Sequence, residues 1–344
     1  MIGASSVTPS VRSTESHRLK EIVLTADLSE QPARWKVAAI LPFGPGRAEL
    51  GATVGKRHGS VPQLPPSFAV GPDGSVWVLD VLKRRVAHYS PHGRYLGEFT
   101  GLPLGPNLPI PRDLTVIGDR VFVAEQDRQT GAAFVQTFGS GGTTRTPVLY
   151  RGAPATIVYL AAGTSGLVGW LGGYAETGGR DLGSGPRGWG ALNVPGSGAL
   201  TLLPGLPLPD GIWTSLDTGT GQDLEVTFAG SSASAIQPLL IRLVGSPGGV
   251  ALSALVGPQV AAALPHGLAA VVMIQPSEPA DAARFGGGRW FLRISSDGSP
   301  LAWERLPSPG LSDEVVVRAL TAGPDGSAYL MLPERNGLKI LRRS

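Results

Sequence analysis

Apolar and polar positions alternate over short segments along most of this chain, and the segments end at turns rich in Gly, Pro or Asp. The clearest turn is Gly71–Ser75 (GPDGS), which stands between an apolar segment and an alternating one. The same five residues return as Gly323–Ser327, in the same setting. An Asp-Gly pair between two such segments indicates a β-hairpin, because both residues tolerate the backbone conformations of tight turns. We therefore predict a hairpin at each of the two sites.

Weaker copies of this pattern lie between the two sites, with turns at Gly118-Asp119 and at Gly163–Gly166. The first three turns are 47 and 45 residues apart. A repeat of this length with four strands per unit is typical of a β-propeller. The units are predicted to begin near 66, 112, 155, 212, 267 and 315. The pattern therefore favours an all-β protein, a propeller of six blades with four antiparallel strands each, and seven blades is the alternative.

The last predicted unit has only three strand-like segments, at 315–322, 327–332 and 338–342. An unpaired sheet edge invites aggregation, so a fourth strand must come from elsewhere in the chain. The apolar segment 35–41 suits that place, and its pairing with the C-terminal blade closes the ring. The sequence thus predicts a flexible segment at 1–18 and a single propeller domain at 19–344.

The first complete unit, residues 66–99, resembles the NHL-repeat β-propellers. It has an apolar strand, a Pro-Asp-Gly turn, a strand that ends in Asp80, a short loop with Arg85, and two further strands around a second turn. Residues 316–343 fit the same pattern, whereas the central units depart from it. The resemblance implies the fold, and across the family this motif is not a catalytic signature.

Composition removes several other classes of protein. With 49 Gly, 31 Pro and only 16% charged residues, the chain is poor in the residues of long amphipathic helices. Its net charge is +3 and its longest basic run is Lys83–Arg85, so no nucleic-acid partner is predicted. The absence of Cys excludes disulfides and thiolate sites. The five His show no metal-ligand spacing, so we predict neither a metal nor a cofactor.

Two features bear on location. Every apolar run is interrupted by Gly or Pro before it reaches the ~20 residues of a membrane span, so no transmembrane segment is predicted. Residues 1–18 lack the apolar core of a signal peptide. If Met1 is the native start, the expected location is cytoplasmic; if the N-terminus is processed, it is extracytoplasmic.

The charged residues concentrate at one predicted end of the blades. In a four-stranded blade, the loops between the second and third strands and those between blades emerge opposite the GPDGS hairpins. We predict a ligand or partner face there, formed by Arg84, Arg112, Asp113, Glu125, Asp127, Arg128, Asp210, Glu334 and Arg335. Asp80 and Arg85 are instead interpreted as a structural pair that braces a loop, and Glu125 stands where Asp80 stood one unit earlier.

These observations favour a non-enzymatic propeller that presents its loops to a protein, peptide or glycan partner. The apolar loop 101–111 adds the hypothesis of a subunit in a larger assembly. The alternative is a propeller hydrolase or lyase with a polar or metal site at the mouth of the central channel. An enzyme of that kind needs at least three acidic, His or Asn side chains from different blades to converge on the axis.

Overall fold

The described part of this protein is almost entirely β-structure. The computed structural model describes residues 20–344 except 30–31, 54–62, 104, 106–107, 164–165, 173–187, 195, 211, 219–222, 230–237, 247–249, 256–260, 266 and 312–315. The predicted flexible segment 1–18 lies outside the described residues. Within them the only α-helix is α1 (Pro279–Phe285), and no helix there has the length and apolar character to cross a membrane.

Two N-terminal strands, β1 (Lys20–Asp27) and β2 (Lys36–Pro42), join sheets whose other strands come much later in the chain. The next strands form four-stranded antiparallel meanders. Sheet 1 consists of β3 (Phe68–Val70), β4 (Val76–Asp80), β5 (Arg85–Tyr89) and β6 (Tyr95–Thr100). Sheet 2 consists of β7 (Ile110–Ile117), β8 (Arg120–Gln126), β9 (Ala133–Gly139) and β10 (Gly142–Pro147). A two-stranded sheet follows, with β11 (Leu149–Tyr150) and β12 (Ala153–Pro154).

The meander pattern continues to the C-terminus. Sheet 3 consists of β13 (Ile157–Gly163), β14 (Gly166–Leu171), β15 (Gly188–Leu192) and β16 (Leu200–Leu202). Sheet 4 consists of β17 (Leu206–Pro207), β18 (Trp213–Thr218), β19 (Asp223–Ala229), β20 (Leu239–Ser246) and, parallel to β20, β1. Sheet 5 consists of β21 (Leu252–Leu255), β22 (Ala261–Leu264), β23 (Gly267–Pro276), β24 (Gly288–Ser295) and β25 (Pro300–Arg305). Sheet 6 consists of β26 (Leu320–Ala322), β27 (Ala328–Glu334), β28 (Gly337–Arg343) and, antiparallel to β28, β2.

Both GPDGS sites are hairpin turns between the first two strands of a sheet, as predicted. In the first, the backbone N–H of Gly71 donates to the Ser75 carbonyl at 2.8 Å, and Gly74 has a φ of 79°. The Asp73 carboxylate accepts the Ser75 backbone N–H at 3.0 Å, and the hydrogen bond from the Ser75 side chain lowers the pKa of Asp73. The second site repeats this geometry, with Gly326 at a φ of 75°. The repeated sequence is therefore a turn that a residue without a Cβ completes.

Two sheets begin earlier than the sequence predicted. The expected starts near 212 and 267 coincide with β18 and β23, which are second strands. The first position is occupied by β17 in sheet 4 and by β21 and β22, which pair with opposite ends of β23, in sheet 5. Each of these strands has four residues or fewer and carries almost no alternation from which to predict it. Between β17 and β18 the backbone N–H of Leu208 donates to the Ile212 carbonyl at 2.7 Å, which is the counterpart of the bond from Gly71 to Ser75 in the first GPDGS turn.

Buried apolar clusters join every pair of consecutive sheets. Sheets 1 and 2 share one cluster, sheets 2 and 3 a second, and sheets 3, 4 and 5 a third. Two further clusters join sheet 5 to sheet 6 and sheet 6 to sheet 1, and the second of them contains both Met331 and Phe68. First strands contact one another in the order β22, β26, β3, β7, β13. Small meander sheets that pack against one another in this way are propeller-like.

The N-terminal segment crosses three of these sheets. After β1 leaves sheet 4, the backbone N–H of Ala33 donates to the Arg305 carbonyl on the edge of sheet 5 at 2.8 Å. Trp35 lies edge-on to Phe291 of sheet 5, with ring centroids 4.9 Å apart, and the chain then enters sheet 6 as β2. Residues 20–29 and 32–42 therefore tie sheets 4, 5 and 6 together along their outer strands.

Candidate functional site

A cavity of about 340 Å³ lies among the first strands of all six sheets. Its wall consists mainly of small uncharged side chains, for example Ala69, Thr115, Ala162 and Ala263. The wall also includes residues of the hairpin turns, Gly71-Pro72 and Gly323-Pro324 among them. The cavity therefore reaches the turn end of the sheets, and it is lined by the residues that a propeller places around its axis.

One charged side chain, Arg318, lines this cavity. It lies just before β26 and is 6% exposed. Its Nε donates to Oδ1 of Asp113 on β7 at 2.9 Å, and its Nη2 donates both to Oδ2 of Asp113 and to the Leu160 carbonyl on β13. The result is a bidentate ion pair between sheets 6 and 2 that also holds sheet 3.

Asp113 is fully buried, and both of its oxygens are in use. Besides Arg318, Oδ1 accepts the hydroxyl of Ser67, just before β3, and Oδ2 accepts the backbone N–H of Leu160 at 2.7 Å. First strands or their flanking residues from sheets 1, 2, 3 and 6 thus meet at this carboxylate. A buried charge needs such compensation, so Asp113 serves as a structural tie.

The structure also brings Asp80 and Arg85 together, at 2.9 Å and both buried. Asp80 accepts the backbone N–H of Gly51, and Arg85 donates to the carbonyls of Arg47 and Glu49. The pair therefore braces the segment between β2 and β3 against sheet 1.

Glu125 is buried at the equivalent position of sheet 2, at the end of its second strand. Its Oε2 accepts Nε of Arg145 on β10 at 2.8 Å. Burial nevertheless raises the pKa of Glu125, because Arg145 is 42% exposed and offsets the lost hydration only in part. In sheet 6, Glu334 occupies the same position and pairs with Lys339 at 2.9 Å. Each acid that ends a second strand in these three sheets is thus paired with a base of its own sheet.

The arginines of the adjoining loops are exposed instead. Arg84, Arg128 and Arg335 follow the second strands of sheets 1, 2 and 6, and we call these three residues the basic rim. Arg84 has a φ of 55°, and its Nε donates to the Leu102 carbonyl at 3.2 Å. Among the described residues, Arg128 and Arg335 have no salt bridge. The rim therefore presents positive charge at one end of sheets 1, 2 and 6.

The remaining predicted face residues have other settings. Asp127 accepts the backbone N–H and the hydroxyl of Thr130, both at 2.8 Å, and the backbone bond is the main reason why its pKa is lowered. Arg112 is partly buried at a β-bulge of β7. Asp210 was expected in a loop between blades on the charged face. It lies instead in the turn between β17 and β18, whose Pro209 lines the cavity with Pro72.

Arg318 and Ser67 were not predicted from the sequence. A single Arg in the apolar segment 315–322 is the signal that points to Arg318, because an isolated charge at a buried position needs a partner. Ser67 carries no comparable signal. Over the described ranges, no group of three or more His, Asp or Glu side chains is arranged to hold a metal ion.

The fold and the site together define an all-β, propeller-like protein whose first strands are joined by a buried ion pair. The family "Domain of unknown function (DUF7485)" matches residues 33–118, which span β2, sheet 1 and β7. No curated protein matches this sequence.

Several solved structures are similar to this one. A putative exported protein from Bacteroides fragilis is 10% identical, with a TM-score of 0.44 over 94% of this chain and 99% of that one. Hydrazine synthase from Kuenenia stuttgartiensis is 12% identical, with a TM-score of 0.43 over 80% and 77%. Virginiamycin B lyase from Staphylococcus aureus is 14% identical, with a TM-score of 0.37 over 80% and 83%. These similarities assign neither a ligand nor a reaction to this chain.

Proposed function

We propose that this chain is a non-enzymatic binding protein, a six-bladed NHL-type propeller that presents its basic rim to an acidic segment of a protein partner. Sheets 1 to 6 are the blades, and β2 closes the ring by completing sheet 6. The cyclic order of the buried clusters supports this count, and the pairing of β2 with β28 supports the closure.

The observation that carries the proposed function is the separation of paired acids from exposed arginines. Asp80, Glu125 and Glu334 are each neutralised within their own sheet. The loop arginines that follow them remain exposed, and Asp127 in the loop of sheet 2 is hydrogen-bonded to Thr130, so the net charge that the basic rim offers a partner is positive. A partner with carboxylates complements that charge and gains orientation as well as affinity from it.

The rim is tested by reversing its charge and measuring binding to poly-L-glutamate. We expect the double variant Arg128→Glu/Arg335→Glu to bind about tenfold more weakly than the parent chain, because each exposed ion pair contributes up to ~1 kcal/mol. The matched control is Arg94→Glu/Arg120→Glu, which alters the net charge equally but lies at the turn end of the sheets. An equal loss of affinity in the two double variants would mean that only the net charge matters, and it would refute the basic rim as the binding site.

The alternative function, a hydrolase or lyase with a polar or metal site at the channel mouth, has less support. Asp113 is the acidic residue that meets the first strands near the cavity, and its oxygens are already occupied by Arg318, Ser67 and Leu160. Metal analysis of the purified protein decides between the two functions. A divalent ion bound in stoichiometric amount would favour the enzyme and contradict our proposal.

A further inference from the structure

The axial cavity combines an apolar wall with one hydrogen-bond donor group. Apart from Arg318, every residue that lines it is uncharged, and most are Ala, Val, Gly or Pro. Its volume of about 340 Å³ lies at the lower end of the range for small-molecule pockets, roughly 300–1,000 Å³. The cavity therefore has the size and lining of a site for a small molecule.

The donors of Arg318 are only partly used. A guanidinium has five N–H groups, and Nε and Nη2 carry three of them, which bind Asp113 and Leu160. Nη1 carries the other two, and neither has an acceptor among the described residues. Arg318 lines the cavity, so Nη1 is the part of its guanidinium that a ligand oxygen can bind, and that contact adds a hydrogen bond that the protein itself does not form.

The charge of Arg318 is already balanced by Asp113, at a distance of 2.9 Å between Nε and Oδ1. A ligand carboxylate at the same place would bring an uncompensated negative charge into an apolar cavity, which is unfavourable. An uncharged ligand with an acceptor oxygen has no such cost. The local electrostatics thus select for a neutral acceptor such as a ketone, ester or amide carbonyl.

We propose that the axial cavity binds a small, uncharged, largely apolar molecule whose carbonyl oxygen accepts a hydrogen bond from Nη1 of Arg318. This site is distinct from the basic rim. The cavity extends along the first strands from the hairpin turns to Arg318, just before β26, whereas the rim lies in the loops after the second strands.

The test compares acetophenone with ethylbenzene, a matched pair that differs in the carbonyl oxygen, by ligand-observed NMR titration. We expect acetophenone to bind about tenfold more tightly, the ratio that one hydrogen bond to a charged donor supplies. Ala162→Phe fills the cavity from an exposed wall position and should abolish the binding of both probes. Leu96→Phe, at an exposed position on β6 away from the cavity, should leave both affinities unchanged.

Arg318→Lys tests the donor separately, because lysine keeps a cation opposite Asp113 but has no Nη1. We expect its affinity for acetophenone to fall to that of ethylbenzene. Equal binding of the two probes to the parent chain, no binding of acetophenone, or undiminished binding to a folded Ala162→Phe variant would each overturn the proposal. If Arg318→Lys does not fold, the probe pair and the Ala162→Phe variant still decide the question.

Discussion

Replacing Arg318 by Met tests whether the buried ion pair holds the first strands together. The change removes all three hydrogen bonds that Arg318 donates, two to Asp113 and one to the Leu160 carbonyl. Asp113 is then left as a fully buried carboxylate with only Ser67 and the Leu160 N–H as donors. Removing one partner of a buried pair costs about 3–5 kcal/mol, and we expect a loss in that range in the free energy of unfolding.

The assay is urea-induced unfolding, followed by tryptophan fluorescence and circular dichroism. The double variant Asp113→Asn/Arg318→Met removes the stranded charge and should recover about 2 kcal/mol or more of the loss. Lys339→Met removes a partly exposed pair with Glu334 and should cost at most ~1 kcal/mol. The reasoning is refuted if Arg318→Met costs no more than Lys339→Met, or if the double variant recovers nothing.

Two other predictions concern pH and the N-terminal strands. The His88 ring is stacked on Trp77, with ring centroids 3.7 Å apart, and burial lowers the pKa of His88 below the ordinary 6.5. As the pH falls, this histidine is therefore protonated in the unfolded chain before it is protonated in the folded one. The free energy of unfolding should thus decrease as the pH drops below about 6.5. The variant His88→Phe should flatten that part of the curve of stability against pH, whereas His92→Phe, at an exposed position, should leave it unchanged. Identical curves for the parent chain and His88→Phe would contradict this assignment. A chain that begins at residue 34 loses β1 but keeps sheet 6 complete, and we expect it to fold with a lower melting temperature. A chain that begins at residue 44 also loses β2 and exposes the edge of β28, so it should aggregate, and light scattering distinguishes the two results.

Local turn chemistry made part of the fold predictable. The Asp-Gly pairs specify hairpins through their backbone conformations, and both GPDGS sites have the predicted turn. The expected fourth strand of the last sheet, residues 35–41, corresponds to β2, because an apolar segment without a local partner had one incomplete sheet to join. The short strands β17 and β22 escaped prediction, since two and four residues do not establish a period. The parallel pairing of β1 with β20 also carries no local signal, because the two strands are far apart in the sequence.

The candidate site was harder to predict, because its residues are joined by contacts between distant parts of the chain. Asp113 was expected on an exposed face, yet it is buried against Arg318, 205 positions later. A sequence shows that a charge is present but not whether another sheet brings its counterion. Asp80 and Arg85 were easier, since they are five residues apart on neighbouring strands of one hairpin.

The pairing of acidic side chains with arginines of the same chain bears on both proposed sites, the basic rim and the axial cavity. Asp80, Asp113 and Glu125 are fully buried, and each is bound to an arginine of the chain itself. What each proposed site offers is therefore a donor: exposed guanidinium groups at the rim, and Nη1 of Arg318 in the cavity. Any ligand of either site must supply acceptor oxygens. The apolar wall and the balanced charge of the cavity favour a neutral carbonyl there, whereas the unbalanced charge of the rim favours carboxylates.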